Sequence, residues 1–404
     1  MKSDMERPHA VHSDRPGWAW AGNSLALALW LVSVLLWCVL MRQSLIAMPW
    51  DEMSTAGMRL HDLRRPFALA GMSVGMLGTA VCLGCLFWLC LSVVIGAGWG
   101  VPLRRVLAAG CWGAMPGVLV LAGTVGCLTT VVFPETALYW GVDGGVIDRV
   151  QAFGVLDWTD RSWWNPAWLY LRMGLAVLLA WSMAQIWKSR AFANTAPGQS
   201  IGRGMAAVCL VVTVMVMGML GFDVLAAGSS AVLSMFPVYF IVYSLFAGLA
   251  FAVLAGCLLR RLDGGRHLPW PRLGGLLLAL VLVKGYLVYS QYLVIWYASI
   301  SGELALYSAG GRGLPTAAFG LELLVPFIVL MFPSLRRNPA VLGYVCAGIL
   351  AGSLLEACWL LFPGLDLILN AWTTWLPLGA LAVVVGGACV VSVWGALSAR
   401  RVFP

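Results

Sequence analysis

Five ionisable residues interrupt the apolar stretches of this chain: Arg172, Asp223, Lys284, Glu322 and Glu356. Such a group in hydrocarbon costs about 2.5–3.5 kcal/mol on insertion scales, so it is expected to face a polar interior and not lipid. Arg172, Asp223, Glu322 and Glu356 fall in the halves of their segments that lie toward one membrane face, while Lys284 sits near a segment centre. Gln291 follows Lys284 by seven residues, which puts both on one helix face. With Tyr292 next to it, the set reads as a half-channel. Asp223, Glu322 and Glu356 would relay protons toward Lys284 at the inner end, with Gln291 and Tyr292 ordering water. Each residue taken alone also fits a structural ion pair, and Arg172, near a segment end, could snorkel to the headgroups.

The composition defines what must position these groups. The chain has 404 residues, of which 61% are hydrophobic and only 10% charged, and its mean hydropathy is +0.89. A soluble domain is about 45–50% apolar and about 25% charged. A water-soluble enzyme, a disordered chain, a coiled coil and a nucleic-acid binder are therefore excluded. The net charge of +8 is spread thinly and forms no basic patch. All eleven cysteines lie inside apolar runs, and the single CxxC, Cys82 to Cys85, reads as small-residue packing. The four histidines lie outside those runs, which argues against a haem held by two membrane histidines. No catalytic or metal-ligating set is expected, and no cofactor bound by this chain.

A span needs about 20 apolar residues. Ten segments qualify: 22–41, 67–95, 106–131, 167–187, 204–227, 233–259, 273–299, 316–333, 340–362 and 376–398. The expected fold is an all-α membrane protein, one polytopic domain over 22–398 with polar tails at 1–21 and 399–404. Sixteen of the 25 Lys and Arg fall on the side of both termini and seven on the other, the remaining two being Arg172 and Lys284. That bias puts the termini in the cytoplasm. Two long loops, 42–66 and the acidic, Trp-rich 132–166, would then face outward.

One stretch is too distinctive for generic membrane sequence: Tyr289-Ser290-Gln291-Tyr292-Leu293-Val294-Ile295-Trp296-Tyr297, running on to Glu303. It resembles the signature of the ActF membrane subunit of alternative complex III, a bacterial quinol:electron-acceptor oxidoreductase, within the wider NrfD/polysulfide-reductase-like family. Asn165-Pro166 through Arg172 with Trp181, Asp223 with Ser234 to Phe240, Arg336 to Pro339, and Glu356-Ala357-Cys358-Trp359-Leu360 resemble further stretches of that subunit, in the same order. The likeness covers about residues 160–365. It departs where the family's Glu and His are replaced by Ala226 to Val232, and where Ser301-Gly302-Glu303 has one acid fewer.

The resemblance implies two four-helix bundles, about 67–227 and 233–362, flanked by the first and last helices. It also implies a bacterial inner-membrane location. Its implied partners are a paralogous NrfD-like subunit thought to hold the quinol, a periplasmic iron–sulfur subunit and haem c proteins, so that quinol, haem c and iron–sulfur clusters would sit in neighbours. The expected role is a non-redox anchor and proton path in quinol oxidation. The rival from another class is a free-standing secondary transporter with a polar solute or ion site near the midplane.

Overall fold

The computed structural model describes residues 57–127, 166–192, 203–228, 235–260, 268–298, 313–361, 378–383, 385–387 and 390. Among them there is no strand, as expected where lipid offers no partner for backbone polar groups and each segment must bond internally. The helices are α1 Gly57–Val94, α2 Gly100–Gly113, α3 Met115–Cys127, α4 Pro166–Phe192, α5 Arg203–Gly228, α6 Phe236–Arg260 and α7 Trp270–Ala298. After these come α8 Gly313–Phe319, a π-helical turn Gly320–Leu324, α9 Val325–Met331, the short α10 Pro333–Arg337 and α11 Pro339–Leu361.

Seven helical segments are long and apolar enough to cross a membrane: Ala70–Val94, Leu103–Thr124, Arg203–Val224, Phe236–Leu258, Trp270–Tyr297, Gly313–Met331 and Pro339–Leu361. Two shorter apolar helical stretches, Leu171–Trp187 and Leu378–Gly387, coincide with the expected segments 167–187 and 376–398. The expected span 22–41, the tails and most of the 132–166 loop lie outside the described residues. Two spans are interrupted where periodicity alone shows continuity. The third breaks between α2 and α3 at Ala114, and the eighth carries the π-turn. The helix of the second span begins at Gly57, inside the segment read from sequence as loop.

α1 and α6 are the central helices. From Ala70 to Val93 no side chain of α1 is exposed, and α6 is nearly as enclosed, whereas α5 and α7 each present an exposed stripe. A helix that is apolar all round is buried in protein or in lipid, so only packing separates these cases. α1 contacts α2, α3, α5 and α6. α6 in turn packs on α7 and α11, against which α8 and α9 lie. The α1–α6 crossing is backbone to backbone at Gly84 and Gly248. Trp88 Nε1 donates to the Leu245 carbonyl (2.8 Å) and the Cys85 thiol lies 3.6 Å from the Gly248 carbonyl across the same seam. Cys82 likewise meets the Cys111 carbonyl at 3.2 Å. Both members of the CxxC thus serve helix contacts, and the described cysteines are free thiols.

Candidate functional site: a buried lysine between two carboxylates

The five charges that interrupt the apolar stretches are all buried, and they assemble into two separate groups. Asp223 and Arg172 form the first. Arg172, early in α4, donates from Nε to Asp223 Oδ2 (3.0 Å) and from its terminal nitrogen to Oδ1 (2.9 Å) near the end of α5. Such a two-pronged pair is fixed in geometry as well as charge. Arg172 is buried and does not snorkel.

Breaking a buried pair by removing one partner typically costs about 3–5 kcal/mol, because the other charge stays behind uncompensated. Arg172→Met is therefore expected to lower the unfolding midpoint in detergent sharply. Arg172→Met with Asp223→Asn should recover much of the loss. Equal stability of the single variant and wild type would show the pair to be idle.

Lys284, Glu322 and Glu356 form the second group. Lys284 is the midpoint of α7 and 1% exposed. Its ammonium donates to Glu322 Oε1 and to Glu356 Oε2, the latter at 2.6 Å. Glu322 Oε1 also accepts from the Ser353 hydroxyl (2.7 Å), and Glu356 Oε1 accepts from the Tyr239 hydroxyl. Tyr243 donates to the Ser353 carbonyl at 2.8 Å. The rings of Tyr243, Phe246 and Tyr239 stand 4.9, 5.6 and 5.8 Å from the lysine nitrogen, a cation–π enclosure from the α6 side.

Local structure explains how three helices reach one ammonium. Glu322 is carried on the π-turn, a form found mostly as single turns at functional sites. α11 approaches that turn at Gly352, where a Cβ would lie 2.9 Å from Glu322 Cβ. The absent side chain lets Ser353 and Glu356, three residues apart on one face, flank the carboxylate. Because the helix starts at Gly313, Glu322 sits at the centre of its span and level with Lys284.

Beside the triad lies a cavity of about 270 Å³, lined by thirteen residues that include Phe236, Tyr239, Gln291, Glu322, Glu356 and Trp359. They come from the start of α6, the second half of α7, α8, the π-turn and the end of α11. On the other side of Lys284 the same helices present buried Leu277, Val281, Leu330, Ile349 and Val253. The charged cluster thus has the cavity toward one end and buried aliphatic side chains toward the other. Gln291 lines the cavity, while Tyr292 is 52% exposed and is not among the lining residues. Tyr239, Tyr243 and Ser353 were not singled out from sequence. Their signal was the helical spacing of Tyr239 with Tyr243 and of Ser353 with Glu356.

Fold and site together define an all-α, multi-pass membrane protein with a buried lysine–dicarboxylate cluster beside a cavity. No family model matches the chain, and no curated protein matches it either.

Proposed function

We propose that this chain is a membrane subunit of a quinol-oxidising respiratory complex of the alternative complex III type, acting as anchor and as a periplasm-facing proton path. The observation that carries the reading is the triad at the cavity floor. With all groups ionised, two carboxylates and one ammonium leave one net negative charge in a buried place, and one added proton removes it. A buried net charge is costly, so the cluster has a physical reason to take up a proton from the cavity. The hydroxyls of Tyr239 and Ser353 touch the carboxylates and can pass protons on. The buried aliphatic side chains beyond Lys284 support reading it as a half-channel.

The link to a respiratory complex rests on the resemblance. Three of its stretches, distant in sequence, supply six of the thirteen cavity-lining residues: Phe236, Tyr239, Gln291, Glu356, Trp359 and Leu360. The periplasmic sense of the opening rests on the Lys and Arg bias. The reading places a paralogous NrfD-like subunit, an iron–sulfur subunit and haem c subunits beside this chain in the bacterial inner membrane.

Glu356→Gln tests it. The amide oxygen still accepts from Lys284 and its NH2 can donate to the Tyr239 hydroxyl oxygen, so the fold should persist and haem-bearing partners should still co-purify. Proton-coupled quinol oxidation per assembled complex should fall by roughly 100-fold, the lower end of what losing a positioned proton-transfer group costs. Unchanged turnover per complex would end the proton-path reading. Purification of the chain alone in mild detergent, with no haem-stained partner, would favour the transporter instead.

A further inference from the structure

A second recess lies between the opposite ends of two of the same helices, the end of α6 and the start of α11. Its volume is about 400 Å³, and none of the residues lining it is charged. α11 makes room for it with Ala340, Gly343 and Ala347, which recur at helical spacing on one face. The two helices are pinned where the Cys257 thiol donates to the Pro339 carbonyl at 3.1 Å. From Pro339 the lining runs to Ala347, eight residues on and so about 12 Å along the axis. One leaflet's hydrocarbon is about 15 Å deep, half of a core of about 30 Å. The recess is thus nearly as long as one leaflet. It is open at the side, since Leu258, Tyr344 and Ala347 are exposed.

Size and charge identify the occupant. Over a length of about 12 Å, a volume of about 400 Å³ leaves a cross-section of about 33 Å². A helix about 10 Å across needs about 80 Å² and does not fit. One hydrocarbon chain does. A cavity of roughly 150 Å³ takes the six carbons of benzene, so about 400 Å³ takes on the order of sixteen. Both walls end in arginine. Arg260 closes α6 two residues beyond Leu258, and Arg336 and Arg337 close α10 just before Pro339. Arg337 is exposed, and so is Arg272 in the first turn of α7, against which α10 packs. Arg336 lays its stem over Gly274 of α7, and its buried Nε has no hydrogen-bond partner among the described residues. The sequence from 258 to 272 holds four arginines against one acid, Asp263.

We propose that this recess holds one acyl chain of an anionic phospholipid, whose phosphate is drawn to Arg337 and the neighbouring arginines at the mouth. A free phosphate has no use for an apolar recess one leaflet deep, so the ligand is a lipid. The Lys and Arg bias puts the mouth in the cytoplasmic leaflet, where basic residues at helix ends meet anionic head groups. The site stands apart from the triad and does not rest on the proton path.

The test uses the full chain in mild detergent, titrated with dioleoyl phosphatidylglycerol or dioleoyl phosphatidylcholine and read by native mass spectrometry. One tightly retained phosphatidylglycerol is expected, at least about tenfold ahead of phosphatidylcholine, as two basic side chains at an anionic head group would give. Arg337→Gln should weaken phosphatidylglycerol binding about fivefold, the share of one such side chain, and leave phosphatidylcholine unchanged. Ala347→Trp, at an exposed position, should fill the recess and abolish the tight site. Phosphatidylglycerol with a diazirine on its acyl chain should label the peptide that contains Tyr344 in unaltered protein. If Ala347→Trp fails to fold, that labelling decides in its place. Equal retention of the two lipids, or label spread over the exposed faces of α5 and α7, would mean an unselective lipid shell and would overturn the proposal. So would phosphatidylglycerol binding that neither substitution weakens.

Discussion

Lys284→Met is expected to cost this protein most of its folded yield. Lys284 holds the ammonium between two carboxylates that are themselves buried. Removing one partner of a buried pair costs about 3–5 kcal/mol, and here two acids lose the same partner at once. Methionine keeps a flexible apolar stem against Tyr243, Phe246 and Tyr239, so lost packing does not account for the effect. Lys284→Met combined with Glu322→Gln and Glu356→Gln removes the stranded charges and should restore most of the folded yield and of the unfolding midpoint in detergent. A single variant as stable as wild type would show that the triad is not held by charge. A triple variant no better than the single would assign the loss to shape.

The cost of charge in hydrocarbon made the members of the site legible one by one. Asp223, Lys284, Glu322 and Glu356 were singled out on that ground, and all four are buried. Which acid meets which base was not legible. The pairs are separated by 51, 38 and 72 residues, and only the arrangement of helices brings them together. The sequence reading joined Asp223 to the path, while the fold pairs it with Arg172. Tyr292 shows a sharper limit that spacing could have caught. At 3.6 residues per turn, Gln291 returns to within about 20° of Lys284, whereas Tyr292 is about 80° away. The π-turn under Glu322 is not legible from spacing: Gly320 opens it and Pro326, which lacks a backbone N–H, follows it, but neither specifies a π-turn. Span existence was readable from hydropathy. Burial was not, because α1 and α6 are apolar for the sake of protein neighbours and α5 and α7 in large part for lipid.

The largest steric effect is expected at the seam of those two central helices. A Cβ on Gly84 would lie 1.9 Å from the Ser244 carbonyl oxygen, and one on Gly248 would lie 2.4 Å from the Gly84 carbonyl carbon. Both obstacles are helix backbone, which cannot rotate away as a side chain can. Small residues at such seams let helix backbones approach closely in membranes. Even Gly84→Ala or Gly248→Ala must therefore push α1 and α6 apart. That separation would break the Trp88 bond to Leu245 and shift α6, which carries Tyr239 and Tyr243 to the triad. Ordinary overpacking costs about 1–3 kcal/mol, occasionally more. Backbone contact on both sides places these variants at the upper end, and Gly248→Leu beyond it, with no folded protein recovered. Gly174→Ala is the control, since a Cβ there meets nothing within 4 Å, and it should leave the midpoint unchanged or raise it slightly. The measurement is the unfolding midpoint of each variant in one detergent. Wild-type stability in Gly248→Leu would mean that α1 and α6 do not cross where the backbone places them, and the site above, which hangs on α6, would have to be rebuilt.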